Sequence, residues 1–166
     1  MEEDMAPSVT IKDRIIQYMN QTLLSTLVTV VHGRPVSRMM LFGNDKRGTV
    51  WLCTRADSSI LDEIRQFPHV ALSIFREETL LDEIVSLSVE GEARIVEDPM
   101  DRLSLEGFDI LGRKSPRIGD IPHAGEADRY RIVIVSPTLF RFHSWADHVK
   151  GVPPVTLRRK SGASTI

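Results

Sequence analysis

The feature that most constrains this chain is a run of short, β-branched segments across residues 27–75, each closed by its own turn signal. Residues 27–32 read as a strand, Gly33-Arg34-Pro35 as a turn, and residues 36–42 as the returning strand. Residues 44–48 turn the chain again, and residues 49–54 form a third strand. Asp57-Ser58-Ser59 caps a short helix over residues 60–66, which Phe67-Pro68 ends. Residues 69–75 make a fourth strand. Strands this short and this closely joined pair antiparallel, and inserted helices favour a small barrel over an open parallel sheet.

The flanks extend the pattern. Thr10 with Asp13 forms a capping box in which Asp replaces the usual Glu. Ile11, Ile15, Met19 and Leu23 then recur at helical spacing, so this helix is expected to plug one end of the barrel. A long strand is predicted over residues 84–97, with Gly91 marking a bulge. Asp98-Pro99 is expected to open a helix carrying Leu103, Leu105 and Phe108, with Pro at the first helical position. Residues 112–128 read as a loop and residues 130–135 as a strand that Pro137 interrupts. Residues 139–145 read as a last strand ending at Trp145. These elements divide the chain into a tail over residues 1–9, one domain over residues 10–148, and a C-terminal tail over residues 149–166.

Composition narrows the class. At 166 residues the chain is long enough for one well-filled core. A net charge of −2 argues against a general nucleic-acid binder. No apolar run approaches the roughly 20 residues that span a bilayer, and the acidic start is followed by no apolar stretch of the secretory kind. The single cysteine, Cys53, allows no internal disulfide and fits a reducing cytoplasm. No phosphate-binding P-loop and no Rossmann glycine fingerprint is present, so any nucleotide is held by another architecture.

Five pieces in this order and spacing carry a resemblance. They are Gly33-Arg34-Pro35, Ser37-Arg38-Met39-Met40, Trp51-Leu52-Cys53-Thr54, Asp57-Ser58-Ser59 and Phe67-Pro68-His69-Val70-Ala71-Leu72. Together they resemble the FMN-binding split barrels, the superfamily of pyridoxamine 5'-phosphate oxidase and the general stress protein 26 group. The resemblance implies a mainly β fold with helices, a six- or seven-stranded antiparallel split β-barrel. It also implies a homodimer with two flavin sites at the subunit interface, FMN held non-covalently, and electron exchange with a small substrate or a nicotinamide cofactor.

The same resemblance assigns roles. Arg38 would meet the FMN phosphate, since guanidinium binds phosphate bidentately and keeps its charge. Read from the residues alone, it is equally a solvated strand arginine. Ser58 and Ser59 would offer a hydroxyl and free N–H groups at a helix start, or simply cap that helix. Met39, Met40, Leu52, Cys53 and Thr54 would line the isoalloxazine ring, or belong to ordinary core. Trp145 would approach the flavin of the neighbouring subunit, or pack at the dimer interface. His143 and His148 flank it without the density of ligands a metal site needs. Many relatives carry a lysine two residues after the first of these serines; here Ile60 stands there, and the phosphate site loses a cation. Two other cofactors remain open on this fold: the deazaflavin F420 in a reductase, and flavin or haem in a non-catalytic binding module. Pyridoxamine 5'-phosphate oxidase activity itself is disfavoured, because its C-terminal substrate motif is not found around residues 155–159.

Overall fold

A computed structural model describes residues 9–78 and 80–159. Residues 1–8 of the expected N-terminal tail, and Lys160 onward, lie outside the described residues. Seven antiparallel strands form one sheet in the order β3-β2-β1-β4-β5-β6-β7, and pairing of β3 with β6 closes the first six into a barrel. The strands are β1 (Leu24–Val31), β2 (Arg34–Asn44), β3 (Val50–Arg55), β4 (His69–Phe75), β5 (Val85–Val96), β6 (Tyr130–Ser144) and β7 (Val155–Arg158). Five helices accompany them: α1 (Ile11–Gln21), α2 (Ser59–Gln66), α3 (Arg102–Gly112), α4 (Pro116–Gly119) and α5 (Trp145–Val149).

Alternation explains the barrel. Leu27, Leu72, Ile74, Leu87 and Val89 point inward and are almost fully buried with Phe42, Leu52, Val133 and Val135. Helix α1 adds Ile15, Tyr18 and Met19 to this core. Its capping box is present, with Asp13 N–H donating to Thr10 Oγ1 at 3.2 Å and Thr10 N–H to Asp13 Oδ2 at 3.1 Å. The helix ends at Gln21, so Leu23 drops off the expected apolar stripe and is 49% exposed. Helix α2 contributes Ile60, Leu61 and Ile64. Helix α3 lies on the outside of β2 and β3, where Phe108, Ile110 and Leu111 form a second core with Trp51, Ile132 and Ile134.

Several local expectations are corrected. The first hairpin turns at His32-Gly33, both at positive φ (49° and 74°), as a two-residue loop of the type that matches strand twist. Arg34 and Pro35 therefore belong to β2, paired with Val31 and Val30. Helix α3 begins after Asp101, whose carboxylate accepts from Leu103 N–H at 2.7 Å. Asp98-Pro99 forms the preceding turn, because Asp101 is the better cap. Pro137 does not interrupt β6. It sits opposite Gly91, where the register of β5 and β6 shifts, and a bulge tolerates a missing N–H. On its other edge β6 pairs with β3 before this point and with β7 after it. Residues 155–158, expected in a tail, thus extend the sheet as β7, held by a free strand edge that composition does not reveal. The expected loop over residues 112–128 contains α4 and a short 3-10 turn, with Gly112 and Gly119 in close backbone approach. Trp145 starts α5 and does not end the strand, because the Ser144 hydroxyl caps the helix.

Candidate functional site

The barrel is not uniformly closed. The ladder between β2 and β3 runs only from Phe42–Leu52 to Asn44–Val50. From Leu41 back to Arg34, β2 pairs with β1 on one edge, and the ladder with β3 on the other has ended. Likewise Cys53, Thr54 and Arg55 pair with β6 on one edge. Beyond these pairs the two strands are no longer laddered to each other, and along this seam their facing edges carry backbone groups outside the sheet ladder. Pro35, which has no N–H to give, is accommodated in β2 because this edge is unpaired.

Arg38 and α2 close one end of the seam. Arg38 shares the inward face of β2 with Val36 and Met40, and its side chain reaches Glu63 of α2. Nη2 donates to Glu63 Oε1 at 2.6 Å and Nη1 to Oε2 at 2.8 Å, a bidentate pair. Thr29 on β1 completes the cluster: its hydroxyl donates to Glu63 Oε2 and accepts from Arg38 Nη1 at 3.0 Å. The Arg38 side chain is 27% exposed and that of Glu63 10%. Burial works to raise the Glu63 pKa. Hydrogen bonds from Thr29 and Arg38, the Arg38 charge and a bond from Ser59 outweigh it, and the carboxyl lies below its ordinary 4.5. Glu63 stays ionised at neutral pH, and Arg38 faces a full counter-charge.

The start of α2 brings Ser58 and Ser59 to the same place. Ser58 caps the helix, its hydroxyl accepting from Ile60 N–H at 3.4 Å. Ser59 is the first residue of α2, one turn before Glu63. Ile60 is buried in the main core, so a lysine there would have to leave the barrel interior to reach a ligand. Arg55, the other cation near the helix start, donates from Nε and Nη2 to Asp57 at 2.9 and 2.8 Å.

The remaining sequence candidates divide. Met39 points outward and is 73% exposed, whereas Met40 packs against the main core. Leu52 is fully buried and offers a seam ligand only its backbone. Cys53 packs toward the α3 core, and burial pushes its thiol up to about 12, which makes it inert as a nucleophile. Thr54 is half-buried one residue before the ladder's end at Arg55. Trp145 lies elsewhere, on α5, with its ring 5.2 Å from that of His148, which in turn is 5.5 Å from His143. Among the described residues no three His, Cys, Asp or Glu side chains gather as metal ligands would. A cleft of about 310 Å³ lined by Arg55, Ala56, Asp57, Arg129 and Tyr130 lies past the end of the β3–β6 ladder, apart from Arg38. Glu63 and Thr29 are the residues that sequence reading missed. The signal was there for Glu63, a carboxylate between Ile60 and Ile64 on the apolar face of an amphipathic helix.

These residues fit a flavin unevenly. Free strand backbone beside Thr54 matches the donors and acceptors of a flavin pyrimidine edge, while the phosphate end presents a cation already paired.

Comparison with known proteins agrees with this geometry. The family model described as pyridoxamine 5'-phosphate oxidase matches residues 11–138. No curated protein sequence matches the chain. Among solved structures, general stress protein 26 from Bacillus anthracis str. Sterne is 21% identical, with a TM-score of 0.61 over 90% of this chain and 98% of that one. A conserved hypothetical protein from Mycobacterium tuberculosis is 20% identical, with a TM-score of 0.67 over 99% and 100%. HutZ, a haem storage protein from Vibrio cholerae, is 18% identical, with a TM-score of 0.59 over 75% and 87%. At these identities the structures share a fold, and the sequence match carries the kinship: this chain belongs to the pyridoxamine 5'-phosphate oxidase family, on a split barrel like that of general stress protein 26.

Proposed function

We propose that the protein is a cytoplasmic flavin-dependent oxidoreductase that works as a homodimer. One observation carries the reading: the seam between β2 and β3, with unladdered backbone along both edges and Arg38, Ser58 and Ser59 at one end. A flavin bound there would supply the redox chemistry. The chain would hold its ring with the backbone of residues 39–41 and 53–55, orient it with Thr54, and keep water from its inner side with Met40. No side chain of the seam is set up as an acid or base, which suits a site whose protein part is positioning.

A second copy is the expected cover for the outer face of β2, β1 and β4. Val133, Val135 and Phe140, apolar residues of β6, are buried within the chain and need no cover from a partner. On this face the exposed apolar residues are Leu24, Met39 and Phe75, alongside Thr26, Val28 and Ser73. No helix among the described residues is long and apolar enough to cross a membrane.

The test is the absorption spectrum of freshly purified protein, followed by anaerobic addition of NADPH or NADH. A flavin spectrum that bleaches on reduction supports the reading. A Soret band would move it to the haem-binding alternative. A colourless protein that takes up F420 and refuses FMN and riboflavin would move it to the deazaflavin reductases.

A further inference from the structure

We infer that Glu63 is a built-in counter-ion that competes with ligand phosphate for Arg38, so that the site discriminates against phosphate monoesters. The inference rests on the flavin reading above and adds a specificity-determining residue to it. Arg38 is a seam cation on the inward face of β2, and both of its terminal nitrogens already donate to a carboxylate, at 2.8 and 2.6 Å. That carboxylate is held by Thr29 and by both terminal nitrogens of Arg38, so it does not swing away freely. Its own charge is also well kept, since the surrounding donors hold it ionised.

The other cations near α2 offer no replacement. Arg55 is paired with Asp57, and Arg65 with Asp62 and Glu97. Ile60 is buried and uncharged. At Arg38 a ligand phosphate therefore meets no net positive charge. It must either displace Glu63 from Arg38 or bind beside a like charge, and both oppose a dianion. A flavin that lacks the phosphate meets no such obstacle, because the backbone groups of the seam address the ring alone.

The experiment is a fluorescence titration of FMN and of riboflavin into the full-length wild type and into Glu63→Gln. Glutamine keeps the size and much of the hydrogen bonding, and releases the Arg38 charge. Wild type should bind FMN and riboflavin within a few-fold of each other. Glu63→Gln should bind FMN about ten- to a hundredfold more tightly, with riboflavin unchanged. The gain should shrink as salt is raised, since the freed charge is partly exposed. The double variant Arg38→Gln/Glu63→Gln should lose the gain. A folded Glu63→Gln protein with no rise in FMN affinity relative to riboflavin overturns the inference and leaves the flavin reading intact. If that variant does not fold, the wild type decides: FMN bound much more tightly than riboflavin means that Glu63 does not cancel Arg38. Wild type and variant that bind neither flavin overturn the flavin reading, and this inference falls with it.

Discussion

The barrel has two unlike walls. On one, β5 and β6 pair continuously from Val85–Ser144 to Val96–Ile132, broken only by the bulge at Gly91. On the other, β2 and β3 pair briefly and part, leaving the seam that ends at Arg38. The closed wall satisfies its backbone internally and presents little for a ligand to use. The open wall leaves polar backbone beside a buried ion pair, a state that costs free energy in a chain with nothing to bind. The flavin reading places function where the sheet fails to close.

The sharpest way to break the closed wall is at Gly91. A Cβ there would lie 2.5 Å from Ser136 O and 2.9 Å from Val135 Cγ1, and a carbonyl in a ladder cannot step aside. Gly91→Ala should cost at least the ~1–3 kcal/mol typical of overpacking, read as a lower denaturation midpoint. A variant as stable as wild type would mean that this wall is looser than its register.

The open wall should yield differently. Glu63→Ala strands Arg38 and Thr29, and should destabilise by about 2 kcal/mol, less than a fully buried pair because Arg38 keeps some solvent. Its pH dependence has a definite sign. The Glu63 pKa is depressed in the fold, so its stabilisation is fully present above the unfolded value and is lost as pH falls through the folded one. The stability gap between wild type and Glu63→Gln should be flat above about pH 5 and close in more acidic solution. A gap that widens with acid would contradict the assignment.

Outside both walls, Met39→Glu would put like charges on a face proposed to meet its own copy. It should weaken dimerisation by tenfold or more, by sedimentation at several concentrations, with the melting of the monomer unchanged. A wild-type monomer at micromolar concentration would remove the partner altogether.

The smallest effect concerns Lys114, which links α3 to the end of α1. Its ammonium donates to Met19 O and Thr22 O at 2.7 Å and lies 3.7 Å from the Phe42 ring centroid. Burial lowers its pKa to about 8 from 10.5. Between those values the unfolded chain binds the proton and the folded chain does not, so stability should rise with pH across that window. Lys114→Met should abolish the rise in urea titrations; a rise that persists assigns it elsewhere.

What the sequence made legible follows from the range of the forces. β4 was read to the residue and α2 to within one, because alternation and capping are local. The family motifs pointed to Arg38, Ser58 and Ser59; the structure pairs Arg38 with the Glu63 carboxylate and uses Ser58 to cap α2. Glu63 itself escaped, because its partner is 25 residues away and a helix carboxylate is ordinarily solvated. Pro137 misled because a bulge opposite Gly91 is a property of two strands read together. β7 escaped because a short strand is made by the edge that receives it. The seam is a lack of pairing, and no residue pattern announces where two strands part.

Hydrogen exchange with and without saturating FMN probes whether that seam is the cofactor site. The amides of residues 38–41 and 53–55 that point away from β1 and β6 should exchange readily in the free protein and become protected with FMN, while β5 and β6 amides stay slow in both states. Protection that appears elsewhere, with residues 38–41 and 53–55 unchanged, would contradict it.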